Sequence, residues 1–567
     1  MPFEAAVHRV LAIPELLDII FTFQDRQSNI NNSLVCKQWT GIALDNIWRE
    51  VDNLPHLFHL LAPLQKTAVH PTTFIFARTP TQADWAKFIP YARRVRRLDY
   101  AANDGLKSIQ LDQSVFDDIA RTRTSLHILP NLNSLIWLVK TPSVQRYHTL
   151  FMHEKIRYFE ARIHSTQEYS ISTHLSDITG RMPLLTTLTL QCPLHVPVPD
   201  MSNLLRGFPR LKKITLPRRF LIPAIFEELA QLQELETIEF DSLGGASDYY
   251  GKERAPSFKI QVKEGYFPAL WDLSLSMSLK DAQRFLVDGA RLPRLTCLFV
   301  GSVQLEDPST VHGFLSALVE SYPNMEHLYL DIVIPRWDQP ATFPQITFDH
   351  FRPILGLTKL ATFEIRNNFP IPMSESDVVQ LGTFLPSLET LQINPEPFKL
   401  DVPTLSISSL NRFAQHFPKL RKLGVYIDAA IGYIPFAGDI HFPSLEVLNV
   451  GVSPIDGEED TVVVALYLSR LFASREPALE SGLTWNSDML LDEAYEETVQ
   501  EQCDVWEEVA RMLPLLGALR QEERLKRSSI EKEVDDLKMR NEVLMGSMHN
   551  SMLVGQRGRL GGSCVIG

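Results

Sequence analysis

One short pattern, repeated down most of the chain, constrains its fold more than any single residue does. Phe442-Pro443-Ser444-Leu445-Glu446-Val447-Leu448-Asn449-Val450 sets a proline ahead of apolar residues at fixed offsets. The same frame recurs at Pro418/Leu420/Leu423/Val425, Pro386/Leu388/Leu391/Ile393, Pro323/Met325/Leu328/Leu330, Pro293/Leu295/Leu298/Val300 and Pro268/Leu270/Leu273/Leu275. Further upstream stand Pro209/Leu211/Ile214/Leu216, Pro183/Leu185/Leu188/Leu190 and Pro130/Leu132/Leu135/Trp137. Copies without the proline lie at Leu360/Phe363/Ile365 and Leu235/Ile238/Phe240, with weaker ones at Ile156/Phe159 and Val95/Leu98/Tyr100. The mean spacing is roughly 29 residues, a period at which self-similarity signifies a solenoid.

Within each copy the last two apolar residues stand two apart and so share one face of a short strand. The proline has no amide donor and forces extended geometry on the residue before it, so it ends the helix that closes the previous copy. Helical patterns fill the intervals, as in 281–287, 311–319 and 410–414. Each unit is therefore a strand plus a helix. This arrangement resembles the leucine-rich repeat, which implies an α/β solenoid, a horseshoe with strands inside and helices outside. The copies here are irregular in length and lack the family's asparagine or cysteine after the last leucine.

The first 60 residues break that period. Ile13-Pro14-Glu15-Leu16-Leu17-Asp18-Ile19-Ile20-Phe21 puts a proline and an acid in the first turn of a helix. Asparagines and a serine then interrupt it. A second helix is expected over 33–43 and a short third one around Ile47, Trp48 and Val51. The sequence I-P-E-x-L-x-x-I-F, then L-V-C-K-x-W, then I-W resembles the F-box. That family's three-helix module docks on the linker subunit of SCF (cullin–RING) ubiquitin ligases. The resemblance implies a first docking segment of Ile13, Pro14, Glu15, Leu17 and Ile20, and a second of Val35, Cys36, Lys37 and Trp39. Asn31 and Asn32 stand where members of the family more often carry leucine.

The expected organisation is an F-box-like helical module over 1–60 and an irregular leucine-rich-repeat solenoid over 61–480. C-terminal helices follow over 481–545, with a disordered tail over 546–567. The acidic run 488–508 carries apolar residues at helical offsets and reads as an amphipathic cap on the array. Beyond it Ile530, Val534, Leu537, Asn541 and Leu544 alternate by four and three, a short heptad seam with Asn541 at an a position. The tail holds Cys564 fourth from the end, but the final glycine is not typical of a prenylation box.

Composition narrows the function. A net charge of −13 opposes nucleic-acid binding, which needs a positive field. Two basic clusters, Arg93/Arg94/Arg96/Arg97 and Lys212/Lys213/Arg218/Arg219, read as solvated strand edges. No apolar run is long enough to span a membrane and no signal peptide stands at the start, so a cytoplasmic or nuclear location is expected. The 5 cysteines are scattered, which fits a reducing compartment and no metal site. Phosphate-binding glycine loops and hydrolase motifs are missing, and His56 and His59 read as packing residues, so neither catalysis nor a cofactor is expected.

These observations lead to an adaptor whose F-box binds the linker subunit and, through it, cullin, while the solenoid holds a protein substrate. The competing reading is a leucine-rich-repeat scaffold with no ligase. If the paired apolar residues of each copy face the core, the residue between them faces the open side. On that face the candidate substrate residues are Phe299, Tyr329, Asp331, Glu364, Arg366 and Tyr426.

Overall fold

The computed structural model describes Leu11 and residues 13–67, 72–101, 110–139, 141–164, 170–192, 196–220, 222–241, 265–289, 292–302, 304–334, 344–430, 440–472, 477–484 and 493–557. Its contacts divide the chain into two compact units. One takes in Met1–Pro344 with Asp349–Leu360; the other takes in Gln345–Phe348, Ala361–Trp485 and the chain from Leu491. The division falls inside the span 61–480 that the sequence assigns to one solenoid.

The first unit opens with three helices, α1 (Pro14–Thr22), α2 (Arg26–Ser33) and α3 (Lys37–Arg49). Leu17, Phe21 and Ala43 form their core, with Ile20, Trp39 and Ile42 packed against it. Phe21 and Trp39 meet edge to face with ring centres 5.3 Å apart. The asparagines do not interrupt helical structure as expected. Asp25 caps α2 by accepting the Ser28 N–H at 2.7 Å, and the buried Asn29 amide donates to the Phe21 carbonyl at 2.9 Å. Nor is there a separate third helix at Ile47: Ile47 and Trp48 complete α3, and Val51 already belongs to a strand.

That strand, β1 (Glu50–Val51), begins a parallel ladder. It continues through β2 (Arg97–Tyr100), β3 (Ser134–Trp137), β4 (Tyr158–Arg162), β5 (Thr187–Gln191), β6 (Lys213–Pro217), β7 (Thr237–Asp241), β8 (Asp272–Ser276), β9 (Cys297–Gly301) and β10 (His327–Ile332), each beside the next. A separate small sheet is formed by Leu64–Lys66, Thr73–Phe76 and Gln110–Leu111. The register stacks one row of teeth, Leu98, Leu135, Phe159, Leu188, Ile214, Ile238, Leu273, Leu298 and Leu328. Each member of that row is fully buried. Neighbouring copies thus share one continuous core, which none could bury alone.

The prolines mark a second row that the frame did not announce. The residue just before each is buried: Leu129, Met182, Phe208, Phe267, Leu292 and Tyr322. Ahead of each strand a carbonyl of one copy takes two successive amides of the next. The Thr186 carbonyl accepts from Lys212 N and Lys213 N, and the Thr296 carbonyl from Glu326 N and His327 N. These paired bonds satisfy the backbone where the chain turns into the ladder.

The second unit repeats the scheme in β11 (Thr362–Asn367), β12 (Thr390–Ile393), β13 (Lys422–Val425), β14 (Val447–Gly451) and β15 (Ala478–Ser481). Phe363, Leu391, Leu423 and Leu448 form its row of buried teeth. A helix at Gly457–Leu471 packs against the long helix Glu493–Arg557. The long helix buries Val499, Trp506, Val509 and Leu513 on one stripe, and the Trp506 indole donates to the Ser453 carbonyl at 2.9 Å. The amphipathic segment expected from the acidic run is therefore there. Helix continues past Gly546 to Arg557, where disorder is expected, since glycine alone weakens a helix without ending it. Cys564 lies outside the described residues, as does 242–264, the long insert between two copies.

Candidate functional site

Two surfaces concern function, both set by where apolar side chains fail to find cover. The first lies on the N-terminal helices. Their apolar core comes from α1 and α3, with α2 contributing the buried Asn29, and a second apolar set is left in solvent: Ile19 is 55% exposed, Phe23 87%, Leu34 81% and Val35 61%. Leu16, Ile30 and Ile13 extend this set. Isolated exposed apolar residues are ordinary, but several on α1, α2 and the turn into α3 amount to a surface that a partner would cover.

The docking residues named from the sequence separate into two groups. Ile13, Pro14, Glu15, Val35, Cys36 and Lys37 are exposed. Leu17 is fully buried, so it holds α1 on α3 instead of facing a partner; Ile20 and Trp39 flank the same core, partly exposed. Sequence reasoning missed Leu16, Ile19, Phe23, Ile30 and Leu34. Their signal was legible: α1 carries apolar residues on more of its circumference than one buried stripe requires.

One member of the basic cluster beside this module, Arg94, ties it to the start of the ladder. Arg94 pairs with Asp45 and donates to the Gly41 carbonyl at 2.9 Å, while Arg49 holds Asp18 at 2.8 Å. Arg97 reaches Asp99 at 3.6 Å. Arg93 and Arg96 are exposed, and Arg96 donates to the Arg93 carbonyl at 2.7 Å, as expected of solvated residues. His56 and His59, expected to pack, are exposed, though the His56 ring still packs on Trp48 with ring centres 5.5 Å apart; His56 also faces Arg26 at 3.2 Å and His59 accepts the Leu64 N–H at 3.2 Å.

The second surface is the open face of the first unit's sheet. Phe299 and Tyr329 lie directly opposite in register and stack, ring centres 6.2 Å apart, both partly exposed. Phe240 meets Phe299 edge to face at 4.9 Å. The Arg218 guanidinium lies 4.4 Å from the Phe240 ring and 3.4 Å from Asp331. Both members of that pair are more than nine-tenths buried, which corrects two expectations: Arg218 is not a solvated edge residue and Asp331 is not a free substrate contact. Gly301 leaves room for this cluster, because a Cβ there would meet Phe299, Arg218 and Phe240 within 3.1–3.3 Å. Lys212 and Lys213 do behave as solvated edge residues, paired with Glu236 at 2.8 Å and Glu239 at 2.6 Å.

On the corresponding face of the second unit, Glu364 accepts from Gln392 at 3.0 Å, and burial pushes its carboxyl above the usual range. Arg366 is partly exposed. Tyr426, expected on the open face, is buried against Val452 and Val499, with Leu400, Leu483, Tyr495 and Cys503 around them. Its hydroxyl donates to the Asp401 carbonyl at 2.9 Å. The long helix supplies Tyr495, Val499 and Cys503, so this part of the face is covered from within the unit.

Elsewhere in the first unit, two buried histidines, His148 and His174, lie side by side. They stack with ring centres 5.3 Å apart. Burial holds His148 down to about 4; burial, then the neighbouring His148, holds His174 down to about 3. Both are neutral at pH 7. Among the described residues, no three histidines, cysteines or carboxylates are placed to hold a metal ion. No described helix is long and apolar enough to cross a membrane.

No protein-family model matches the chain, and no curated protein does. Among solved structures, TLR13 in its complex with ssRNA13 aligns at 12% identity and a TM-score of 0.33. That alignment covers 75% of this chain and 64% of the other, so this chain spans less than two thirds of the TLR13 chain. The yeast complex of Rad7 and Elc1 aligns at 14% identity and a TM-score of 0.28, over 78% of this chain and 94% of the other.

Proposed function

We propose that the chain is a substrate-recognition adaptor of an SCF ubiquitin ligase, docking on the linker subunit through its N-terminal helices and holding a protein substrate on the sheet face. The observation that carries this reading is the exposed apolar set on α1, α2 and the turn into α3, with Ile19, Phe23, Leu34 and Val35 in solvent while Leu17 and Phe21 complete the module's own core. A cap that merely closed the ladder would have no need of such a set. Glu15 and Lys37, both exposed beside it, supply polar contacts at its margin. The chain itself performs no chemistry in this reading. It raises the effective concentration of a substrate near a ubiquitin-loaded enzyme. The substrate would rest near Phe299 and Tyr329, where an aromatic pair gives contact area at small entropic cost.

The test is co-purification with recombinant linker subunit. Ile19→Asp with Phe23→Asp is expected to abolish capture at unchanged melting temperature, because both side chains already stand in solvent. Failure of the unaltered chain to bind the linker would leave the leucine-rich scaffold without a ligase. Full binding by the double variant would place docking elsewhere.

A further inference from the structure

The helix Glu493–Arg557 changes character along its length. It buries its apolar stripe up to Leu513, but between Arg520 and Gly546 every large apolar side chain stands in solvent, including Ile530 at 59%, Val534 at 42% and Leu537 at 55% exposed. Those three continue with Asn541 and Leu544 along one line at heptad spacing.

We propose that this line is the seam of a parallel two-stranded coiled coil with a second copy of the chain. Val534 at an a position with leucine at two of the three d positions, Leu537 and Leu544, favours two strands over three or four, Ile530 at the third being the exception. Asn541, at the next a position, sets the orientation. A parallel pair places it opposite its own copy, where the two amides hydrogen-bond; an antiparallel pair places it opposite Ile530, with its amide buried and unsatisfied. The flanking charges agree. In the parallel register Lys526 faces Glu531 of the second copy and Glu533 faces Lys538 of the second copy. Within one chain Glu531 is held by Arg527 at 3.1 Å and Lys538 by Asp535 at 3.4 Å, all four side chains more than 60% exposed. Exchanging such surface pairs costs little. Charge alone would also suit an antiparallel pair, since Glu533 would then face Arg540 and Glu531 would face Lys538; the asparagine decides between them. Five core positions make a weak dimer, with a Kd on the order of micromolar or weaker.

Sedimentation velocity on the full chain tests this. From about 1 to about 100 μM, a range spanning such affinities, the mass is expected to rise from the 64.6 kDa of one chain toward twice that value. Val534→Asp with Leu537→Asp is expected to hold the chain single at unchanged melting temperature. Glu533→Lys alone is expected to weaken the dimer about tenfold or less, and Lys538→Glu added to it is expected to restore association. A single-chain mass throughout would overturn the proposal and assign the stripe to a different protein. So would a dimer that survives the paired aspartates. A charge-swapped double variant weaker than the single one would overturn the parallel orientation.

Discussion

Tyr329 and Tyr426 follow from the same rule and meet opposite fates. Each sits on the outward side of a strand, Tyr329 in β10 of the first unit and Tyr426 just beyond β13 in the second. Tyr329 stacks on Phe299 and keeps partial exposure, whereas Tyr426 is buried against Val452 and Val499. Strand alternation decides which way a side chain points. Whether that side is wet is decided by what else packs there, and for Tyr426 the cover comes from a helix some 70 residues further along the chain. Only one of the two sheet faces therefore leaves its aromatic residues available to a partner at this position.

The largest effect that would break this contrast is removal of the cover. Trp506→Ala deletes a fully buried indole and its bond to Ser453, and is expected to cost about 3–5 kcal/mol in denaturant unfolding. Hydrogen exchange should rise along β13 and β14 while the first unit's strands are unchanged. Equal loss across both units would contradict their separate packing.

Acid should act next, and on the first unit. His148 is neutral and enclosed in the folded chain, held to about 4, whereas an unfolded histidine titrates near 6.5. A base whose folded value is lowered stabilises the fold fully above about pH 6.5 and loses that contribution as pH falls toward 4. The loss for His148 alone is about 3 kcal/mol by that linkage, and His174 adds to it. His148→Gln should flatten the pH dependence of the melting temperature between those values; an unflattened profile would assign the acid sensitivity elsewhere.

The smallest stability effect is expected at the aromatic pair. Phe299→Ala with Tyr329→Ala removes partly exposed rings from the sheet's face and should cost about 1–2 kcal/mol, far less than truncation in the core, while abolishing substrate capture and sparing linker binding. A cost like that of Trp506→Ala would show the pair to be core, and unimpaired substrate capture would move the substrate to another part of the face.

The strands of both ladders were largely legible, because Leu98 through Leu448 repeat one spacing and a proline marks where each preceding helix must stop. Two strands escaped. Glu50–Val51 is too short to show alternation, and Ala478–Ser481 carries a single apolar tooth without the proline frame. Helix α2 escaped because Asp25 and Asn29 supply its stability through side-chain bonds that polar composition disguises. Of the candidate sites, the aromatic pair was found by alternation alone. The burial of Asp331 was not, since its partner Arg218 comes from a strand end more than 100 residues earlier.

The central claim is that the N-terminal helices dock on a ligase linker while the sheet face is left for substrate. Hydrogen exchange on the full chain, with and without the recombinant linker subunit, tests it most directly. The expected result is new protection across α1, α2 and the start of α3, with β8 to β10 unchanged. Protection that appears on the sheet face and spares Ile19, Phe23 and Leu34 would contradict it.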